Sequence, residues 1–239
     1  MIKLSKRLQM VADNVLSGGV VADIGCDHGF TSIYLMENKM AEHVIAMDIN
    51  KGPLERAKEH IMQYGLEESI SLRLSDGAKE LAPGEAETLL ISGMGGSLIC
   101  RILEESEPVT RTAKELVLSP QSEVYQVRRL LHKLGFCIAA EDMVLDQGKY
   151  YVVIRGVPGV EWYQEEIEYL YGRKLIEGKS RTFQSFLRKE AGRVEKVLAG
   201  MELKTLSQDS QRKQQELVQE RDWILKAMDR IQPEPDSAR

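Results

Sequence analysis

The feature that most constrains the fold is a pair of loops that follow two apolar runs near the start of the chain. The first run ends in Asp23 and leads into the glycine loop at residues 25–29, and the second ends in Asp48. Glycines let a backbone turn sharply against a ligand. A carboxylate about 20 residues beyond such a loop can accept hydrogen bonds from a ribose. The segment therefore predicts a strand–helix–strand unit that binds a nucleotide-type cofactor.

The loop departs from the dinucleotide-binding fingerprint, in which the pattern Gly-x-Gly-x-x-Gly lets a pyrophosphate rest on a helix N-terminus. Asp27 stands where the second glycine of that pattern would be. A carboxylate repels a pyrophosphate, whereas it favours the cationic sulfonium and ammonium groups of S-adenosyl-L-methionine. These residues therefore predict a methyltransferase rather than a dehydrogenase.

Apolar runs alternate with helical patterns up to about residue 157. The predicted strands cover residues 20–24, 43–48, 70–74, 88–92, 116–119, 137–145 and 150–155. The alternation of the first five strands with helices predicts a mostly parallel α/β sheet with helices on both faces. An Asp and a Gly between the last two runs predict a hairpin. Seven strands ending in a hairpin resemble the Rossmann-like sheet of class I S-adenosylmethionine-dependent methyltransferases.

The chain becomes charged and helical beyond residue 158. We expect a short helix from Trp162 to about Glu177, followed by two long helices separated by a polar stretch at 207–211. The first long helix has an apolar face made of Phe183, Phe186, Leu187, Ala191, Val194, Val197, Leu198 and Met201. In the second, Leu217, Ile224 and Ile231 repeat every seven residues. The two long helices are predicted to form an antiparallel hairpin.

The resulting division is a methyltransferase domain at residues 1–158 and a helical, coiled-coil-like domain at 159–239. The second domain serves either as a packing appendage or as an arm that grips the substrate, and the sequence does not separate these alternatives. Its apolar stripe could pair within the chain or between chains, so a monomer and an oligomer both remain open. Residues 233–239 are predicted to be disordered.

Composition limits the class of protein and its partners. The net charge of −5 argues against general coating of nucleic acid, so any such contact must come from local basic patches. No apolar run approaches the roughly 18 residues of a membrane span, and the N-terminus lacks the apolar core of a signal peptide. We therefore expect a cytoplasmic protein with no membrane contact. Cys26, Cys100 and Cys137 occur singly, which predicts reduced thiols and no metal site.

Further cofactor contacts are predicted where the next strands end. Asp48 is the predicted ribose ligand, although an Asp at this place could also simply cap the next helix. After the third strand, Asp76 could accept the adenine amino group, but Asp-Gly is also an ordinary turn. After the fourth strand, three glycines at 93–96 expose backbone groups at the sheet edge. The predicted cofactor-binding residues are Asp23, Gly25, Cys26, Asp48, Ile49, Asp76, Gly77, Gly93, Met94 and Gly95.

The position after the fourth strand lacks the Asn/Asp-Pro-Pro-aromatic motif with which amino-group methyltransferases act on exocyclic amines. A ring nitrogen such as N1 of adenine already has an unprotonated lone pair, so its methylation depends mainly on in-line positioning. Because the product ring is cationic, a nearby carboxylate would stabilise the developing charge. Asp27 is the predicted catalytic carboxylate, with His28 as an orienting group or, alternatively, as an ordinary loop residue.

Three basic clusters could contact phosphates. They are Lys3, Lys6 and Arg7; Arg128, Arg129 and Lys133; and Arg173, Lys174, Lys179, Arg181, Arg188 and Lys189. Most surface lysines and arginines are simply solvated. The last cluster is the densest, so the segment at 172–189 is the strongest candidate for binding a nucleic-acid backbone.

Taken together, these motifs resemble the bacterial tRNA adenine-N1 methyltransferases that modify adenine 22. The resemblance runs through residues 4–8, 22–28, 52–54, 92–96 and 116–121, and then into 172–187. It implies a class I methyltransferase domain followed by a coiled-coil-like domain, with tRNA as the partner and S-adenosyl-L-methionine as the cofactor. It also implies cofactor contacts at Gly25, Asp48 and Asp76, and a substrate edge near Asp27, His28, Met94 and Pro120. The predicted substrate-binding residues are Lys6, Arg7, Phe30, Pro120, Arg128, Arg129, Lys179 and Arg181.

The chain departs from that family at two places. Members tend to have Ala-Tyr after Asp-His, where this chain has Gly29 and Phe30, so no tyrosine hydroxyl can act here. They also tend to have Gln-Pro where this chain has Ser119, Pro120 and Gln121. These departures keep open a catalytically silent cofactor-binding protein whose helical hairpin docks a partner. A second alternative is methylation of a small molecule or protein by the same core, since such an acceptor would need no basic arm.

Overall fold

The computed structural model describes residues 2–16, 18–202 and 207–231. The chain divides into two compact units, with the boundary between Trp162 and Tyr163. No helix in the described ranges combines the length and apolarity that a bilayer crossing requires. The predicted disordered tail at 233–239 lies outside the described residues.

The first unit is built on a seven-stranded mixed sheet, which confirms the predicted fold class. The strands are β1 (Val20–Ile24), β2 (His43–Asp48), β3 (Ile70–Leu74), β4 (Thr88–Ser92), β5 (Glu115–Ser119), β6 (Phe136–Asp146) and β7 (Lys149–Pro158). Their order in the sheet is β3-β2-β1-β4-β5-β7-β6. The first five strands run parallel, and β7 is antiparallel to both β5 and β6.

The helices of this unit are α1 (Lys6–Asp13), α2 (Phe30–Glu37), α3 (Lys51–Tyr64), α4 (Gly96–Glu105), α5 (Glu107–Thr110) and α6 (Val124–Lys133). Helix α1 was not expected from the sequence. It begins where the Ser5 hydroxyl accepts a hydrogen bond from the Leu8 N–H at 3.3 Å. Val11 and Ala12 then join the buried core beside the sheet.

The central strands read as unbroken apolar runs because they are buried on both faces. In β4, for example, Leu89, Leu90 and Ile91 have no exposed surface. The hairpin between β6 and β7 turns through Gln147 and Gly148, which both have positive φ, at 46° and 79°. Such a pair is typical of the two-residue turn whose twist matches that of the flanking strands.

The second unit contains α7 (Glu166–Tyr171), α8 (Arg173–Gly178), α9 (Arg181–Glu202) and α10 (Gln208–Ile231). The predicted single helix from Trp162 to Glu177 is wrong in two respects. The observed helix begins at Glu166 and not at Trp162, and the side chains of Glu165 and Glu168 form a reciprocal capping box at its start. It is also interrupted at Gly172, whose φ of 88° and ψ of 118° are not helical.

The two long helices pack as the predicted hairpin. Their shared core combines Ala191, Val194 and Leu198 of α9 with Leu217 and Ile224 of α10. The five residues that separate the helices can bridge at most about 18 Å, whereas α9 is about 33 Å long. Side-by-side packing over this length therefore requires an antiparallel arrangement.

Candidate functional site

Two adjoining cavities open at the carboxyl ends of the parallel strands, where open α/β sheets bind ligands. The larger has a volume of about 440 Å³ and is lined by Arg7, Leu8, Asp23, Gly25, Cys26, Asp27, His28, Phe30, Thr31, Asp48, Ile49, Asn50, Ser92, Gly93, Met94 and Gln121. The smaller, of about 120 Å³, is lined by Ile24, Gly25, Asp48, Ile49, Ser75, Asp76, Gly77, Met94, Leu98, Arg101 and Ile102. Four residues belong to both walls, so the cavities form one bent cleft.

The loop after β1 forms the floor of the cleft. The backbone N–H groups of Gly25 and Cys26 both donate to the Met47 carbonyl, at 2.8 and 2.9 Å, which ends β1 against β2. Gly25 has a φ of 79°, and a Cβ at this position would lie 2.2 Å from Met94 Cε. Only glycine fits this turn while leaving room for Met94 above it.

Asp23 is a buried carboxylate at the back of the larger cavity, with 3% of its surface exposed. Its side chain accepts a hydrogen bond from the Ser32 hydroxyl at 2.6 Å. Burial outweighs this bond and raises the pKa of Asp23 to about 6. Ionisation of this group is therefore costly until a cation lies beside it.

Asp48 lies between the two cavities, as a ligand for a ribose would. Its Oδ1 atom accepts the backbone N–H of Asn50 at 2.8 Å, which fixes the carboxylate at the end of β2. Ile49 is 60% exposed beside it and offers an apolar surface to both cavities. This arrangement suits a sugar next to a flat aromatic base.

Asp76 and Gly77 close the smaller cavity. A hydrogen bond from Lys79 Nζ to Asp76 Oδ2, 2.5 Å long, lowers the pKa of the Asp76 carboxyl, so the group is an acceptor at neutral pH. Gly77 has a φ of 64°, and a Cβ there would press against Ile102 at 3.0 Å. The slot between Ile49 and Ile102 is thus narrow and apolar with one acidic end.

Asp27 and His28 stand at the open side of the larger cavity. Asp27 has a φ of 51°, and its side chain is 67% exposed. Its Oδ1 atom lies 3.6 Å from His28 Nε2 and 3.7 Å from Arg56 Nη2, whereas no described residue contacts Oδ2 within ion-pair distance. The carboxylate therefore keeps one oxygen for a ligand.

An aromatic cluster supports this side of the cavity. The rings of His28 and Phe30 stack with centroids 5.5 Å apart, and Phe30 stacks on His60 at 4.7 Å. His60 Nδ1 is also 2.9 Å from the His28 carbonyl oxygen. His60 carries no signal in the sequence, because it lies within α3 and does not follow a strand end.

Arg7 reaches the cavity from α1. Its guanidinium lies over the Tyr151 ring at 5.3 Å from the centroid, and its backbone N–H donates to Asp146 Oδ2 at 3.1 Å. Both partners belong to the β6–β7 hairpin. The hairpin thus holds a cationic group in the wall of the larger cavity.

The structure brings most of the predicted cofactor residues together, with one displaced. Gly95 is the N-cap of α4, and a Cβ there would lie 3.0 Å from Ser122 Oγ, so Gly95 packs against its own scaffold and does not line either cavity. Gly93, with a φ of 82°, and Met94 do line the larger one.

Two predicted substrate residues require correction. Arg128 is only 1% exposed, and its Nε donates to Glu141 Oε1 at 2.7 Å, so it is part of a buried ion pair and cannot bind a phosphate. Pro120 is buried, and the cavity wall is formed by the next residue, Gln121. Arg129 is exposed on α6 but lies outside both cavities. Lys6 lines a separate groove with Asp13 and Asp142.

The basic residues of the second unit fall into two groups, those that form ion pairs with carboxylates and those that do not. Arg173 and Lys174 both form ion pairs with Glu177, at 2.9 and 3.3 Å. Lys179, Arg181 and Arg188 are exposed, and none of them contacts a carboxylate among the described residues. We call these three residues the arm patch.

Five further residues of the larger cavity were not predicted: Leu8, Thr31, Asn50, Ser92 and Gln121. Asn50 and Gln121 each lie two residues beyond the end of a parallel strand, where ligand-binding loops begin. That spacing could have identified them. Within the described ranges, no group of three or more His, Cys, Asp or Glu side chains is arranged to hold a metal ion.

Comparison with known proteins gives a consistent set of matches. The methyltransferase-domain family matches residues 4–154. A tRNA (adenine(22)-N(1))-methyltransferase from Bacillus subtilis is 38% identical over 153 residues, which span 64% of this chain and 64% of that enzyme. The chain therefore matches a little under two thirds of the length of this curated relative.

Solved structures are similar over a longer stretch. The B. subtilis M1A22 tRNA methyltransferase TrmK has a TM-score of 0.86 and 29% identity, covering 95% of this chain and 100% of that one. The M. capricolum TrmK in complex with S-adenosyl-homocysteine has a TM-score of 0.84 and 25% identity, covering 96% and 99%.

Proposed function

Since the chain belongs to the methyltransferase-domain family, we propose that it transfers the methyl group of S-adenosyl-L-methionine to N1 of adenine 22 in tRNA. The observation that carries this proposal is the bent cleft at the carboxyl ends of β1, β2 and β4. Its inner part is lined by carboxylates and an apolar slot, and its outer part is open beside Asp27. The similarity to tRNA (adenine(22)-N(1))-methyltransferase from B. subtilis supports the choice of substrate.

The residues of the cleft fit the proposed cofactor. Asp48 would accept hydrogen bonds from the ribose hydroxyls, and Asp76 would accept one from the adenine amino group in the slot between Ile49 and Ile102. The Asp23 carboxylate lies where the α-ammonium group would neutralise it. When bound, S-adenosyl-L-methionine supplies an electrophilic methyl group on a sulfonium.

The methyl transfer then depends on the position of N1 relative to the methyl carbon and on stabilisation of the positive charge that forms on the adenine ring. N1 of neutral adenine has a lone pair, so no base is needed to remove a proton before transfer. Alignment of N1 with the methyl carbon can contribute about 7–11 kcal/mol. As the ring becomes cationic, the unoccupied Oδ2 of Asp27 would stabilise the charge. His28, stacked on Phe30, would hold Asp27 and offer a flat face to the base.

Because N1 lies on the Watson–Crick edge, the target base must leave its pairing partner before it can react. The protein must therefore grip the tRNA while the base enters the cavity. We assign this role to the domain at 159–239, in which the arm patch Lys179, Arg181 and Arg188 would contact phosphates.

The first prediction concerns the ribose ligand. Asp48→Ala should weaken binding of S-adenosyl-L-methionine about 10- to 100-fold, since hydrogen bonds to a charged acceptor contribute roughly 1.5–3 kcal/mol. Isothermal titration calorimetry would measure the change. Asp229→Ala, on α10 of the second unit, serves as the matched control and should bind normally. Unchanged affinity in the Asp48 variant would refute the assignment.

The second prediction concerns Asp23 and pH. With a pKa of about 6, Asp23 is mostly protonated at pH 5, so cofactor affinity should fall about tenfold between pH 7 and pH 5. Asp23→Asn keeps the acceptor for Ser32 but removes the charge. It should bind more weakly at pH 7 and lose this pH dependence.

Asp23→Asn also tests whether the buried Asp23 carboxylate destabilises the folded protein. A raised pKa in the folded state means that the free protein loses stability as the pH rises from about 4 to 6. Asp23→Asn should therefore raise the free energy of unfolding at pH 7, on the order of 2–3 kcal/mol. Urea denaturation without cofactor measures this, and a destabilised variant would contradict the burial argument.

Methyl transfer itself is tested with labelled S-adenosyl-L-methionine and unmodified tRNA. Label in the RNA supports the proposed substrate class. Label only in added protein or small molecules would favour the same core acting on another acceptor. Cofactor binding without any transfer would favour a silent binding protein.

A further inference from the structure

We propose that the side-chain amide of Gln121 recognises the Hoogsteen edge of the target adenine, accepting a hydrogen bond from the N6 amino group and donating one to N7. The inference rests on the proposed function and names the residue that would determine which base is accepted. Neither the sequence motifs nor the comparisons assign a role to Gln121.

The backbone holds Gln121 at the substrate side of the cleft. Ser92 and Ser119 are register partners at the ends of β4 and β5, and the Gln121 N–H donates to the Met94 carbonyl at 2.9 Å. A Cβ built at Gly93 would lie 3.9 Å from Gln121 Nε2 and 3.5 Å from Arg7 Nη1. Both side chains therefore extend over the bare backbone of Gly93.

The amide is available for a ligand. In the part of the chain that the structure describes, the Gln121 side chain makes no hydrogen bond to another protein group. The amides of Gln9, Asn14, Asn38 and Gln126 in the first unit have protein partners, whereas those of Asn50 and Gln63, like that of Gln121, have none among the described residues. Gln121 is exposed and lines the larger cavity, so its amide can exchange hydrogen bonds with water for hydrogen bonds with a polar ligand.

Among the polar groups on this wall, the chemistry favours the amide for adenine. The Hoogsteen edge of adenine offers one donor at N6 and one acceptor at N7, which a glutamine amide matches in a bidentate pair. Arg7 has only donors, and the carboxylate of Asp27 has only acceptors. Asn50 also lines the cavity, but it follows Asp48 at the ribose side.

This contact would leave N1 free. The Hoogsteen edge lies away from the Watson–Crick edge, so the base can be held by Gln121 while N1 faces the methyl group. Guanine presents two acceptors, O6 and N7, on the same edge, so the glutamine oxygen would have no donor to pair with. The arrangement selects adenine without blocking the reacting atom.

The test compares two tRNA transcripts that carry adenine or 7-deazaadenine at the target position. Removing N7 deletes one of the two hydrogen bonds. For each protein, kcat/KM with the adenine transcript is divided by kcat/KM with the 7-deazaadenine transcript. We expect this ratio to be about five- to tenfold larger for the unaltered protein than for Gln121→Ala. Dividing one ratio by the other cancels the difference in intrinsic reactivity of the two bases.

Gln126→Ala, which removes an amide outside both cavities, is the matched control and should keep the ratio of the unaltered protein. Equal ratios for the unaltered protein and Gln121→Ala would overturn the inference. Formation of N1-methyladenosine in the adenine transcript is scored separately. A failure of the proposed function is therefore distinguishable from a failure of the Gln121 assignment.

Discussion

Replacing Asp27 by asparagine is expected to lower kcat for tRNA methylation about 100-fold, a loss typical of removing one group that stabilises transition-state charge. The affinity for S-adenosyl-L-methionine should fall much less than kcat, because the Asp27 side chain is 67% exposed and solvent screens its attraction to the cationic cofactor. Single-turnover kinetics with saturating cofactor would separate the chemical step from binding.

Asparagine is the informative substitution because it tolerates the left-handed backbone conformation that Asp27 adopts, with its φ of 51°. The variant therefore removes the charge without straining the loop. Glu59→Gln, which removes an exposed charge from the neighbouring helix α3, is the matched control and should keep full activity. An Asp27→Asn protein with unaltered kcat would exclude the electrostatic role.

Reversing the charges of the arm patch should weaken tRNA binding, and so raise KM, about as strongly as Asp27→Asn lowers kcat. The triple variant Lys179→Glu, Arg181→Glu and Arg188→Glu is expected to lower kcat/KM for tRNA about 100-fold or more, mainly through KM. Each lost phosphate contact should also reduce the slope of log affinity against log salt by about one. Filter-binding measurements between 50 and roughly 200 mM salt would report this slope.

The control reverses three exposed lysines outside the arm patch, Lys39, Lys114 and Lys196, of which Lys196 lies farther along α9, and so matches the change in net charge. Lys39 and Lys114 precede β2 and β5, and so lie at the amino edge of the sheet, opposite the cleft. If both triple variants weaken tRNA binding equally, the effect is general charge repulsion and not the arm patch. Normal tRNA binding in the arm variant would leave the helical unit as a packing appendage.

The parallel strands were the part of the fold that the sequence predicted best. The bounds of β1 to β4 match the prediction because strands buried on both faces form continuous apolar runs with sharp ends. The bounds of β5, β6 and β7 are longer than predicted by one to three residues at some ends. The added residues include the polar Glu115, Asp146 and Lys149, and β7 continues through Gly156 and Pro158, which are not typical of strands. Asp48 was found for the same reason, because it directly ends such a run.

Features that depend on tertiary contacts were missed. The burial of Arg128 could not be seen in the sequence, because its partner Glu141 lies on β6 and only the fold brings the two charges together. The interruption at Gly172 was missed because the flanking residues keep a helical pattern. The sequence placed Pro120 at the substrate edge, but Pro120 is buried and Gln121, whose N–H donates to the Met94 carbonyl, lines the cavity.

The most direct test of the central claim identifies the product nucleoside and its position. An unmodified tRNA transcript is incubated with the protein and S-adenosyl-L-methionine, digested, and analysed by mass spectrometry, in parallel with a transcript that has guanine at position 22. We predict N1-methyladenosine at position 22 of the first transcript and none in the second. N6-methyladenosine, or no methylated nucleoside despite normal cofactor binding, would contradict the account.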